Sequence, residues 1–429
     1  MKYALINGIV LDGSENMVPQ YDKIILVKDG IIENIVNKGY DISGYDVVDL
    51  KGQYILPGLV NLHVHLAGSG KPKNNSADAR RLVKLIRTNN LTNKIGMNIA
   101  TTCAETQLMS GTTTIRTVGG IADYDTTIRD EIRAGKRVGP RILAANMAIS
   151  VPGGHMAGSL AFEAESPEDA AHYVDVLANE GVDIIKLMIT GGVSDAEKVG
   201  EPGILRMPPE YVKAACDRAH ELNYKVAAHI ESAEGMLVAL RNGVDSIEHG
   251  GKPSDEAIKL FKDRDAFFVM TTLPALPFVY LDKKIKGVTP VMKENGKVVI
   301  ENGTALSKAC LENGIPVGLG TDTACPYSTQ YDMWRELACY IHFCGVSNEF
   351  ALYTATKLNA QLAGVGDITG SIEKGKSADM ITVEKNPLED ISALRNVTNV
   401  IFEGKIIKPK LKKIKVVEEE LDELFKWES

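Results

Sequence analysis

The chain has 429 residues, with 48 Lys+Arg against 56 Asp+Glu and a formal charge of −8. Forty-four per cent hydrophobic and 24 per cent charged residues suit a globular protein, and without a basic block a nucleic-acid partner is not expected. No run reaches the ~18 apolar residues of a membrane span, no signal-peptide layout opens the chain, and six scattered cysteines form no Cys-x-x-Cys pair, so a cytoplasmic protein with reduced thiols and no membrane contact is expected.

Residues 1–57 read as short strands broken by turns: ALINGIVLDG, KIILVKDGIIENIV and YDVVDLKGQYIL are β-branched runs punctuated by Asn-Gly, Asp-Gly and Lys-Gly. The same texture returns over 366–410, in ADMITVEKN and TNVIFEGKII. A small β-sandwich domain built from both termini is the economical reading. Over 58–365, short apolar runs alternate with helical patterns. The runs are LVNLHVHL, TTTIRTV, RILAANMAI, VDIIKLMI, KVAAHI, VDSIEH, AFFVMT and IPVGLGTD. Eight such runs point to an α/β fold, a (β/α)8 TIM barrel, rather than an open sheet.

Helices fit between them. SPEDAAHYVDVLANEG opens on a capping Ser-Pro-Glu-Asp and closes on Gly, and PPEYVKAACDRAHELN carries Pro near its start. Residues 411–429 predict an amphipathic C-terminal helix with Ile414, Val417, Leu421, Leu424 and Phe425 on one face, packed on the barrel or on a neighbouring subunit. Its acidic run reads as a solvated face.

His63 and His65 lie two apart in the first run, so both imidazoles point to one side of a strand. A pair held that way can clamp a metal such as zinc, although His-x-His also occurs as ordinary core or surface structure. His229 and His249 close the fifth and sixth runs, and Asp322 follows the eighth. Singly, each reads as structural. Jointly, they converge on the C-terminal mouth of a barrel, where active sites assemble.

Lys186 sits in VDIIKLMIT among Ile184, Ile185, Leu187 and Met188, where a buried ammonium is costly. One reading is a lysine whose head escapes past the strand end. The other is a neutral amine that reacts with carbon dioxide, giving a carbamate able to bridge two metal ions.

The stretches ILPGLVNLHVHL, GTTTIRTVGG, GPRIL, VPGGHMAG, GVDIIKLMITGGV, KVAAHIESAEGM, NGVDSIEHG and GLGTDT, taken together and in this order, resemble the metal-dependent amidohydrolase superfamily. Within it they are most similar to the prolidase-like branch of dipeptidases and C-terminal exopeptidases. The resemblance extends through ATKLNAQLAGVGDITGSIEKGKSADMITVEKNPLEDI and leaves only the tail unaccounted for. It implies two divalent metal ions, zinc being the best suited, and a metal-bridging hydroxide that attacks the amide of a dipeptide or N-acyl amino acid. His63, His65 and Asp322 would hold one ion, His229 and His249 the second, and Lys186 as carbamate would bridge them. Asp322 would shuttle the proton. His155 in GGH matches a position facing the substrate, though the loop reads equally as a tight turn. The superfamily and the tail together suggest a homo-oligomer.

Departures from the branch pattern put the substrate in question. Thr117 follows Arg116 where the branch reads Asp, and Glu231 stands where an aromatic or imidazole group is common. Glu231 could orient an amine or guanidinium, or point outward. Arg206 could pair with a substrate carboxylate, and Cys325 lies three residues beyond Asp322. A mononuclear deaminase or cyclic-amide hydrolase is disfavoured by Lys186 and by Ser232, which stands where deaminases carry Glu. A non-catalytic scaffold is disfavoured because all six candidate ligands are present.

Overall fold

The computed structural model of the chain describes residues 1–72, 79–200 and 202–426. The N-terminal segment folds as β1 (Lys2–Val10), β2 (Gln20–Lys28), β3 (Ile31–Asn37), β4 (Asp46–Asp49) and β5 (Tyr54–Pro57). The parallel strands follow: β6 (Leu59–Val64), β7 (Thr112–Thr117), β8 (Arg141–Leu143), β9 (Ala148–Ser150), β10 (Ala161–Glu163), β11 (Ile185–Met188), β12 (Val226–Ile230), β13 (Ser246–His249), β14 (Phe267–Met270) and β15 (Val317–Leu319). The chain returns through β16 (Met380–Val383), β17 (Val397–Phe402) and β18 (Lys405–Ile407).

Both ends of the chain share one sheet. Its order is β18-β17-β16-β5-β1-β2-β3, with β4 also on β1, and the two ends meet where β5 runs antiparallel to β16, Leu56 opposite Ile381. Alternation in β1 and β2 gives this sheet apolar side chains on both faces. Tyr3, Leu5, Ile25 and Val27 join one cluster, while Ala4, Ile24 and Leu26 join another.

Between the ends lie a three-stranded parallel sheet, β6-β7-β8, and a seven-stranded one, β10-β9-β11-β12-β13-β14-β15. Their strands are buried along their length, as strands covered by helices must be. All eight expected runs form strands, with one difference. RILAANMAI breaks into β8 and β9, which pair with different neighbours, and β10 adds an edge strand that the sequence pattern did not suggest. The break lets Ala144 turn its carbonyl to the Asp183 amide at 2.7 Å, beside β11.

At the other end, β15 meets β6. Asp322 donates its amide to the His63 carbonyl at 2.9 Å, and Asn359 Nδ2 donates to the carbonyls of Val60 and Leu319. The approach requires glycine: a Cβ on Gly320 would stand 2.4 Å from His63 Cβ, and one on Gly318 would stand 2.6 Å from Leu62 Cδ1.

The tail helix runs Lys415–Leu424, and 427–429 of the expected span lie outside the described residues. Val417, Leu421 and Phe425 are buried against this same chain, as the apolar face predicts. Its acidic run is a solvated face only at Glu419 and Glu423. Glu418 and Asp422 each accept from Arg335, at 2.9 Å, and from Arg395, at 2.7 Å. Arg335 is fully buried and also pairs with Asp332, so the acidic residues are needed to neutralise it.

Gly320→Ala tests the seam between β15 and β6. The added methyl has no room against the His63 backbone, so a loss of about 1–3 kcal/mol is expected, the scale of overpacking. Chemical denaturation reads it, and an unchanged midpoint would show that the seam yields.

Candidate metal centre and active site

Strand ends place the candidate residues. His63 comes from β6, Lys186 from β11, His229 from β12, His249 from the end of β13, and Asp322 from just beyond β15. Residues His249 and Asp322 have φ of +69° and +45°, left-handed conformations uncommon for side-chain-bearing residues and frequent at functional sites. Ring centroids are 4.7 Å apart for His63 and His249 and 4.5 Å for His229 and His249. Ligand atoms of His63, His249 and Asp322 all lie within 4.8 Å of one another.

The hydrogen bonds fix which ring nitrogens are free. His63 donates Nδ1–H to Glu248 Oε2 at 2.8 Å, and His65 donates Nδ1–H to the Gly119 carbonyl at 2.7 Å. Their Nε2 atoms therefore carry lone pairs, and both face Asp322 Oδ1, at 3.4 and 3.1 Å. Three electron pairs meet with no hydrogen among them, an arrangement that suits a cation. His229 Nε2 lies 3.1 Å from the Gly191 carbonyl, which makes it the donor and leaves Nδ1 as the lone-pair atom. His249 Nδ1 bonds the Thr271 hydroxyl at 2.6 Å. Burial holds both His229 and His249 well below the usual imidazole pKa, in the neutral form that ligates. Burial pushes the Asp322 carboxyl up, and the His63 and His65 rings, when protonated, hold it well below the usual carboxylate range.

Lys186 does not escape to solvent. It is fully buried, and its Nζ has no hydrogen-bond partner. Burial brings its pKa down to about 8, with Arg116 adding to the effect and Glu248 and Asp322 opposing it. The residues present fit metal ions: neutral imidazoles, an ionised carboxylate and an amine able to become a carboxylate-like ligand.

A cavity of about 370 Å³ opens over the centre, lined among others by His155, Asp195, Glu231, Asp322 and Cys325. His155 faces it rather than serving only as a turn. Its ring stacks on His229 at 4.2 Å and its Nδ1 is held by Asp195. The approach depends on Gly192, whose Cβ would sit 3.2 Å from the His155 ring. Arg206 is not among the lining residues. Its charge reaches Asp195, whose carboxyl burial pushes up and His155, the Gly192 amide and Arg206 together hold below the usual range. Glu231 lines the cavity with Oε2 buried and unpartnered, and burial together with Asp322 and Asp195 raises its carboxyl well above the usual range. Ser232 caps the helix Ala233–Arg241 by accepting the Gly235 amide, so its role here is structural.

Sequence reasoning missed the support behind these residues. Glu248 is fully buried, accepting from His63, from Arg116 Nη2 at 2.7 Å and from the Ser246 hydroxyl at 2.7 Å. Burial pushes its carboxyl up, but Arg116 and His63 hold it well below the usual range. Arg116 in turn donates Nε–H to the Leu62 carbonyl. The signal was present in VDSIEH, where an acidic residue precedes a ligand histidine inside an apolar run.

Residues 54–407 match the family model described as the amidohydrolase family. The fold is shared with a proposed prolidase from Bifidobacterium longum, 33% identical, covering 99% of each chain with a TM-score of 0.87. A Xaa-Pro dipeptidase solved with methionine in its active site is 30% identical over 95% of this chain and all of that one, with a TM-score of 0.81. The ochratoxinase of Aspergillus niger is 26% identical, over 82% of this chain and 75% of that protein. The chain belongs to the amidohydrolase family, in its prolidase-like branch, and is a hydrolase acting on C–N bonds.

Glu248→Gln tests the support. The amide keeps the shape but loses the charge that orients His63, so divalent-metal affinity is expected to fall about 10–100-fold, the usual scale for such partners. Competition with a chelating dye measures it; unchanged affinity would make Glu248 a purely structural group.

Proposed function

We propose that this protein is a binuclear metal-dependent hydrolase that cleaves the amide bond of a dipeptide or N-acyl amino acid. The observation that carries the reading is Lys186: a fully buried amine whose Nζ has no partner, in a centre with four candidate ligand histidines and an aspartate. A structural lysine would find a partner or reach water. A carbamate answers both needs: the neutral amine forms a bond to the carbon of carbon dioxide, one proton leaves, and two oxygens face the histidines. The names of the relatives, a Xaa-Pro dipeptidase and a proposed prolidase, support a small peptide-like substrate.

In this reading His63, His65 and Asp322 would hold one ion, His229 and His249 the other, and Lys186 as carbamate would be a shared ligand. The ions, zinc by ligand chemistry, supply polarisation of the scissile carbonyl and a more acidic water. Asp322 accepts the proton of the attacking water at its carboxylate and delivers it to the departing nitrogen. His155, fixed through Nδ1 by Asp195, would in its doubly protonated form donate Nε2–H to the substrate's carbonyl or carboxylate. Arg206 steadies Asp195. The contacts of β15 with β6, and of Ala144 with Asp183, support a (β/α)8 barrel closed from the two parallel sheets, with the terminal strands as a β-sandwich domain. A homo-oligomer is supported by an exposed apolar stripe, Leu91, Ile95 and Ile99, along the helix Asn90–Met109. Free cysteines support a cytoplasmic setting.

Metal counting on wild type and Lys186→Ala tests the bridge. Wild type is expected to hold about two ions per chain. Lys186→Ala is expected to lose one and its activity with it, and acetate or propionate to restore part of the turnover. Stripped wild type is expected to reactivate faster when bicarbonate accompanies the metal. One ion in fully active wild type, or a fully metallated and active Lys186→Ala, contradicts the reading. Asp322→Asn keeps an oxygen but no base, and its turnover is expected to drop by about 10²-fold or more. A near-normal rate in single-turnover assays would remove Asp322 from proton transfer.

A further inference from the structure

Three carboxylates line the cavity: Asp195, Glu231 and Asp322. Two are engaged. Asp322 faces His63 and His65, and Asp195 holds His155 and accepts the Gly192 amide. Glu231 differs from both. It is 8% exposed and its Oε2 has no hydrogen-bond partner; the Val193 amide acts on the carboxyl, and Asp322 and Asp195 bring negative charge beside it, while Arg80 is a cation that also lines the cavity.

Glu231 is also held where it is. Its amide donates to the Thr190 hydroxyl at 3.1 Å, and Gly203 packs so closely that a Cβ would stand 2.6 Å from the Glu231 carbonyl carbon. It follows β12 directly, two residues beyond His229, and residues two apart on an extended strand share a side. Both line the cavity, so the carboxyl stands on the wall beside the reaction centre. A carboxyl oxygen shielded from water and left without a partner, as Oε2 is, is costly unless a ligand supplies one.

Resting on the amide-hydrolase reading, we propose that Glu231 is a specificity residue that pairs with a protonated amine or guanidinium of the substrate. The enzyme then takes dipeptides or N-acyl amino acids carrying a positive group near the scissile amide. A cavity of about 370 Å³ falls within the range of small-molecule sites, roughly 300–1,000 Å³. The cation has two sources, a free N-terminal ammonium or a basic side chain, and matched substrates separate them.

The experiment measures kcat/KM of metal-replete wild type, Glu231→Gln and Glu231→Asp on two matched pairs. Ala-Leu against N-acetyl-Ala-Leu isolates the N-terminal ammonium. N-acetyl-Arg against N-acetyl-citrulline isolates the side-chain cation. Wild type is expected to favour the cationic member of at least one pair by about tenfold or more, the discrimination a buried polar partner provides. Glu231→Gln is expected to erase that ratio, and Glu231→Asp to keep part of it. The pair showing the preference identifies the source. Equal rates within both pairs for wild type, or an unchanged ratio in Glu231→Gln, overturn the cation subsite while leaving the hydrolase intact. Turnover of none of the four overturns the hydrolase reading and this one with it. The wild-type ratios decide even where a variant does not fold.

Discussion

Glu248 is a carboxylate with no access to water, and three strands are tied through it. It sits on β13, accepts from His63 on β6 and from Arg116 on β7, and draws Ser246 of its own strand into the same cluster. A buried charge of this kind is tolerable only when it is fully satisfied. Satisfying it sets the His63 ring, because a donating Nδ1 leaves Nε2 pointed at Asp322. Arg116 then has to reach the Leu62 carbonyl, which brings β7 against the strand that carries both first-run histidines. The site is thus an outcome of core electrostatics as much as of loop placement.

Around that cluster the two sides of the centre have opposite characters. On the His63 side, ionised groups pair off, and Asp322 is held charged. Lys186 and His229 have been denied partners or protons by burial. In the proposed reading, metal ions and a carbamate formed on the Lys186 amine would complete these groups. The strained φ values at His249 and Asp322 belong to the same pattern, since strain persists where the surroundings enforce a geometry.

The strand-end positions of the candidate ligands were legible in the sequence. An apolar run of five or six residues closing on histidine or aspartate marks both the strand and the mouth of the sheet, and His63, His229, His249 and Asp322 all followed that rule. Lys186 was legible by incongruity with its neighbours. What failed was everything that depends on the third dimension. The pairing of Glu248 with Arg116 joins residues 132 apart in sequence. The tail's Glu418 and Asp422 looked solvated until Arg335 was found buried beneath them. The break between β8 and β9 follows from a hydrogen bond to Asp183, which no local pattern announces.

The central claim is that Lys186 is a modified ligand between two ions. Anomalous diffraction from crystals of the metal-loaded protein, collected at the absorption edge of the bound metal, examines it directly. Two peaks are expected, one against His63, His65 and Asp322 and one against His229 and His249, with electron density continuing from Lys186 Nζ as a planar three-atom group between them. A single peak beside an unmodified Lys186, in crystals of enzyme that turns over substrate, would contradict it.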